Sequence, residues 1–246
     1  MANVYAQVDE NKLKSNLVIV LFIAFIATAS YLIAYSMGFD FSFVGIALVI
    51  SGLMSFASFY FSDKIILTLS SAKPANKKDH FDFYTVTENL SKVALLPMPR
   101  LYVIDDTAMN AFATGRDPEH AVVVATTGIL ARLDRTELEG VIAHELSHVG
   151  NYDIRLMGIV TILVGVITLL ADLLLRTRIR GNSNNDRNSG QLQMILFVLG
   201  IVMALLSPII ANLIKLAISR RREFLADASG AKLTRYPEGL ARALEK

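Results

Sequence analysis

The segment His144-Glu145-Leu146-Ser147-His148 sets two imidazoles four residues apart, with a carboxylate beside the first. On an α-helix, positions i and i+4 lie one turn apart on one face, so both rings can reach one ion. Zn²⁺ accepts such neutral nitrogens, and Glu145 can take a proton from a water beside the ion. The chain has no cysteine, so thiolate sites and disulfides are excluded, and any metal must rest on His, Asp or Glu. A catalytic zinc needs a third protein ligand and an open position. His80 and His120, the remaining two of four histidines, both precede the motif. The metzincin pattern is excluded, because it requires glycine at position 151 and histidine at position 154, where this chain has Asn151 and Ile154. The third ligand is therefore expected to be a carboxylate from a later helix. Glu223 and Asp227 stand at i and i+4. One can bind the metal while the other accepts a hydrogen bond from a ligand histidine and fixes its tautomer.

The elements that position these residues can be read coarsely. Residues 79–96 predict a helix, with Phe83, Val86, Leu90, Val93 and Ala94 at helical spacing and Pro97 and Pro99 ending it. Leu101 to Ile104 is a short apolar strand. Asn110 to Thr114 and Ala121 to Thr126 flank a turn-forming Gly115-Arg116-Asp117-Pro118 and are expected to pair. Thr136 with Glu139 has the form of a capping box, opening a helix that carries the His-Glu motif to Val149 and stops at Gly150-Asn151.

Composition sets the wider frame. Of 246 residues, 53% are hydrophobic and only 19% charged, below the roughly one quarter of a soluble domain. The excess falls into four blocks, at 17–39, 41–62, 156–175 and 192–214, each long enough to cross a bilayer as a helix. Only Asp172 interrupts the third, and helices apolar on every face do not suit a small soluble core. Ala27-Thr28-Ala29 has the form of a signal-peptide cleavage site, but the apolar run continues past it and three more blocks follow, so the first block reads as a retained span. The predicted organisation is an N-terminal tail and membrane hairpin (1–62), the first part of a soluble domain (63–153), a second hairpin (154–214) and the returning part of that domain (215–246). Lys12, Lys14, Lys64, Lys73, Lys77, Lys78 and Arg220 to Arg222 flank the spans on one side and place the termini and soluble domain in the cytoplasm. Arg176, Arg178, Arg180 and Arg187, in the loop between spans three and four, oppose that orientation. A net charge of +2 is too small to imply a nucleic-acid partner, and no basic stripe is interleaved with aromatics, so none is expected.

Taken together, Asn110-Ala111-Phe112-Ala113-Thr114-Gly115, His144 to His148, Asn151 with Asp153, and Arg221 to Ala228 resemble the HtpX group of membrane-embedded zinc metallopeptidases, relatives of the CAAX prenyl endopeptidases. The order of two spans, soluble insert, HExxH, two spans and ExxxD matches as well, so the resemblance covers nearly the whole chain. It implies an α+β fold: a mainly helical membrane protein with four transmembrane helices and a gluzincin-like domain containing a small β-sheet. It implies one Zn²⁺ on His144, His148 and Glu223, Glu145 as general base, and Asp227 as the outer partner of a ligand. It further implies a multi-pass cell-membrane endopeptidase facing the cytoplasm, in contact with the lipid bilayer, that cleaves misfolded or damaged membrane proteins under stress. In gluzincins an Asn-Ala edge segment binds substrate backbone, so Asn110, Ala111, Phe112 and Ala113 are the expected substrate strand, extended by β-augmentation. Members of this group usually continue to a His-Pro pair suited to stabilising an oxyanion; this chain reaches Lys246 without one, which is the pattern of a truncated member. Two alternatives remain at this point: a prenyl-protein endopeptidase, and an inactive membrane chaperone or adaptor. An intramembrane protease is disfavoured by Asp134, Arg135, Glu137 and Glu139 beside the motif.

Overall fold

A computed structural model describes residues 4–37, 60–161 and 220–246, with single positions at 45, 46, 49, 53 and 164. The chain forms two compact units. One comprises Met1–Ser15, Phe59–Gly158 and Ile218–Lys246; the other comprises Asn16–Ser58 and Ile159–Ala217.

The first unit is a mixed helix and sheet domain. Its elements are the start of a long helix α1 (Val4–Met37), then α2 (Ser62–Leu69), β1 (Lys73–Pro74), α3 (Phe81–Ala94), β2 (Arg100–Ile104) and β3 (Ala111–Thr114). A 3-10 turn (Pro118–His120) leads into β4 (Val122–Thr126), α4 (Thr127–Arg132) and α5 (Arg135–Gly150); the unit closes with α6 (Arg220–Thr234) and α7 (Pro237–Glu245). The sheet order is β1-β2-β4-β3. β2 runs parallel to β4, with Arg100 opposite Val122, and β3 runs antiparallel to β4, with Phe112 opposite Val124.

The central strand explains the layering. All five residues of β4 are buried, as a strand covered on both faces requires. Val123 and Ala125 join the main core with Phe83, Val86 and Leu90 of α3 and Leu138, Ile142 and Leu146 of α5. Val122 and Val124 point to the other face and meet Leu67 of α2. Leu138, Ile142 and Leu146 recur at i, i+4 and i+8, so one stripe of α5 is anchored and an adjoining stripe is left to carry His144 and His148. Truncating a buried Ile142 or Leu146 to alanine costs about 2–5 kcal/mol, which makes this anchor the firmest part of the motif helix.

Several sequence expectations shift. The capping box lies at Asp134 and Glu137, not at Thr136 and Glu139: Asp134 accepts from the Glu137 amide at 2.9 Å, and Glu137 accepts from the Asp134 amide at 2.8 Å. Both Asp-x-x-Glu and Thr-x-x-Glu fit the pattern, but Asp134 keeps the extended backbone of an N-cap while Thr136 is already inside the first turn. α3 ends at Ala94, before its prolines are reached, and its C-cap Leu95 adopts a left-handed φ of 56°. Val93 is exposed, and Thr87 and Ser91 complete the buried stripe in its place. β1 and α4 were not anticipated.

In the second unit, the described side chains of α1 include exposed Leu17, Val20, Leu21 and Tyr31. Among the described residues no helix is long and apolar enough to cross a membrane. The first predicted span, 17–39, is described as helix up to Met37. Those at 41–62 and 156–175 lie mostly, and that at 192–214 wholly, outside the described residues.

Candidate metal centre

The site is built where α6 and α5 meet. At Gly230 of α6, a Cβ would stand only 3.1 Å from the His144 backbone nitrogen. A side chain there would press the two helices a few tenths of an ångström apart, and glycine allows the close approach. It brings Glu223 and Asp227, one turn apart on α6, over the histidines of α5.

The donor atoms converge. His144 Nε2 and His148 Nε2 are 3.2 Å apart, and Glu223 Oε2 lies 3.5 Å from the first and 3.7 Å from the second. A tetrahedral ion with bonds of ~2.0–2.1 Å separates its ligand atoms by about 3.3 Å, so the triangle has the size of one ion.

The chemistry of the donors agrees with the geometry. His144 Nδ1 donates to Asp227 Oδ1 at 2.9 Å, and His148 Nδ1 donates to Asp153 Oδ2 at 3.0 Å. With both Nδ1 atoms protonated, the two Nε2 atoms turn lone pairs toward one another, a contact that a cation between them would convert from repulsion to ligation. His144, His148 and Glu223 also form the metal-competent cluster found among the described residues. Burial and the neighbouring His148 hold the His144 imidazole below its ordinary range, which favours the neutral, ligating form. At His148 burial acts in the same direction, but the hydrogen bond to Asp153 and the charges of Glu145, Asp153 and Glu223 outweigh it and raise the imidazole.

Glu145 lines the same cavity as His144 and Asp227. Burial pushes its carboxyl up to about 7, against the opposing pull of His148 and of a hydrogen bond from the Ala113 backbone amide. That bond ties the motif helix to β3, which is the edge strand of the sheet. The Thr126 amide donates to the Asn110 carbonyl. By the alternation of an antiparallel ladder, Asn110 and Phe112 turn their backbone groups to β4, and Ala111 and Ala113 turn theirs to the open edge. A cavity of about 520 Å³ opens beside this edge, lined by Met109, Asn110, Ala111, His144, Glu145, Asp227 and Leu240 among others.

His144, Glu145, His148, Glu223, Asp227 and the backbone of β3 beside Glu145 thus lie in one region, whereas the Phe112 side chain packs on the opposite face of the sheet with Leu67, Val122 and Val124. His120 is not part of that region; its ring pairs with Asp117 at 2.6 Å. Asp153, known from sequence only as part of a motif with Asn151, contacts His148 in a role that spacing does not reveal.

A profile of peptidase family M48 matches residues 79–246. A protein named Protease HtpX homolog from Streptococcus uberis is 40% identical over 249 residues, covering 98% of this chain and 83% of its own length. One of the same name from Dictyoglomus thermophilum is 42% identical over 246 residues, covering 98% and 78%. Among solved structures, that of S. mikatae Ste24p aligns with a TM-score of 0.47 at 19% identity, covering 99% of this chain and 58% of the other.

Proposed function

The chain belongs to peptidase family M48, and on that premise we propose that it is a membrane-bound zinc endopeptidase with its ion on His144, His148 and Glu223. It is a metalloprotease by family. One observation carries it: two imidazole Nε2 atoms and a carboxylate oxygen converge at 3.2–3.7 Å while each Nδ1 is engaged by its own carboxylate. An ion held there would supply Lewis acidity toward a carbonyl oxygen or a water molecule.

The chain's own residues do the rest. Glu145, with its carboxyl near neutrality, takes a proton from the attacking water and passes it to the departing amine. Asp227 and Asp153 hold the imidazoles in the tautomer that presents Nε2. The open edge at Ala111, beside the Ala113 amide that Glu145 holds, accepts an extended peptide as an added strand, with Asn110 and Phe112 keeping β3 fixed to the sheet. Such an edge selects unfolded segments, because a strand already paired in a folded protein has no free backbone to offer.

The apolar blocks at 17–39, 41–62, 156–175 and 192–214 are proposed as four spans that tether the domain to the cytoplasmic face of the cell membrane. The exposed Leu17, Val20 and Leu21 of α1 suit contact with lipid. A tethered site meets membrane polypeptides first, so misfolded membrane proteins are the proposed substrates. The prenyl-protein and inactive-adaptor alternatives are not favoured, given relatives named as HtpX proteases at about 40% identity over nearly the whole chain.

The test is zinc content together with cleavage of an unfolded polypeptide. The parent chain is expected to hold one zinc, and Glu223→Ala to lose it. Glu145→Gln should keep the zinc and cleave slower by about 10²–10⁴-fold. Undiminished cleavage by Glu145→Gln rejects Glu145 as the base, and undiminished zinc in Glu223→Ala rejects the third ligand.

A further inference from the structure

We infer that Asn11, in the first part of α1, is a positioning residue for His148, acting through Asp153; the inference rests on the metal site proposed above. Asn11 is 142 residues from Asp153 in sequence, yet its side-chain amide donates to Asp153 Oδ1 at 2.7 Å and to the Asn151 carbonyl at 2.9 Å. Asn11 is 2% exposed and Asp153 1%. Both neighbours of the amide nitrogen are acceptors, which fixes the amide's orientation.

The arrangement divides the Asp153 carboxylate between two tasks. Oδ2 takes the proton side of His148, while Oδ1 is held by Asn11 and lies 3.4 Å from Nε of the buried Arg222. Asn11 and Arg222 share Oδ1, and the shorter contact, the 2.7 Å hydrogen bond from Asn11, sets how far the carboxylate can turn about its Cβ–Cγ bond and so how the imidazole plane is held. The turn that carries Asp153 is held by the same helix. Tyr152 sits at a left-handed φ of 60°, a conformation that costs energy for a non-glycine residue and persists only where its surroundings enforce it. Asn11 grips the carbonyl before Tyr152, and Lys12 stacks its ammonium 4.3 Å from the Tyr152 ring centroid. Asn11 and Lys12 therefore touch the same turn, but only Asn11 touches the carboxylate.

That difference supplies the test, made on the purified full chain by titrating zinc against a chromogenic chelator and by measuring unfolding midpoints of the metal-free forms. Asn11→Ala is expected to weaken zinc binding about tenfold, the low end of the range for partners behind a ligand. Asn11→Asp, which keeps the shape but turns a donor into an acceptor, should weaken it at least as much. Lys12→Ala should bind zinc as the parent does. In an Asp153→Ala background, Asn11→Ala should have no further effect on zinc, because the group it acts through is gone. Parent-like zinc affinity in both Asn11 variants overturns the inference, even where the midpoint falls. So does an undiminished loss in the Asp153→Ala background, or an equal loss in Lys12→Ala, since each would mean that Asn11 merely docks the helix. A parent chain that binds no zinc would instead overturn the metal site itself.

Discussion

Each histidine of the proposed metal site donates its Nδ1 proton to a different carboxylate, and the two carboxylates are unequally protected from water. The Asp227 side chain is 46% exposed and that of Asp153 is 1% exposed. Water can take over much of the task when an exposed acceptor is removed, whereas a buried donor left without its partner bears the full desolvation cost. Asp227→Ala is thus expected to weaken zinc binding toward the lower end of a range of about 10–100-fold, and Asp153→Ala toward the upper end. Competition titrations with the two variants side by side check the order; the reverse order would show that exposure does not govern these partners. The difference in legibility follows the same physics. His144 with His148, and Glu223 with Asp227, were readable because a helix imposes the i, i+4 relation on any sequence that forms it. Asp153 lies just past the helix end, where no periodicity predicts direction. Asn11 carries no local signal at all, since only the tertiary fold brings it to Asp153.

Among the elements, α5 matters most, and its start is fixed by an electrostatic device that pH can address. Asp134 is held below its ordinary range chiefly by the hydrogen bond from the Glu137 amide, and Glu137 is held down first by Lys246 and then by the Asp134 amide. A carboxyl whose folded pKa is depressed stabilises the fold above its unfolded pKa, near 4, and loses that contribution as pH falls through the lower folded value. The unfolding midpoint of Asp134→Ala should therefore lie below that of the parent at neutral pH, and the gap should close as the solution is acidified below about pH 4. Thermal melts at a series of pH values measure this, and a gap independent of pH would leave the cap's charge without a role. The existence of α5, of α3 and of the strands β2, β3 and β4 was legible, because their apolar patterns are strong and local. The parallel pairing of β2 with β4 was not, since it depends on how the chain returns between them. β1 has two residues, too few for any period. The helix start was misplaced by two residues because two overlapping sequences satisfy one capping rule.

At the scale of the whole molecule, the side of the membrane that the peptidase unit faces follows from how its charges flank the predicted spans, and the charges pull in two directions. Lysines and arginines around the termini and the soluble domain point that unit to the cytoplasm, while Arg176, Arg178, Arg180 and Arg187 favour the same side for the loop between the last two predicted spans. Both cannot hold if each predicted span crosses once. The earlier flanks weigh more, because the first hairpin is inserted first and its connection carries no lysine or arginine. The absence of cysteine makes a clean experiment possible. A single cysteine replacing exposed Lys78 reports on the peptidase unit, and one replacing Asn184 reports on the loop. In intact cells a membrane-impermeant thiol reagent is expected to label Asn184→Cys and to spare Lys78→Cys until the membrane is opened. Labelling of Lys78→Cys in intact cells would put the peptidase unit outside and remove cytoplasmic segments from its possible substrates. Protection of both would mean that the arginine-rich loop stays inside and that the last two blocks do not form a simple crossing pair. Only the first outcome keeps the four-span reading and the cytoplasmic site together, and with them the argument that tethering selects the substrate.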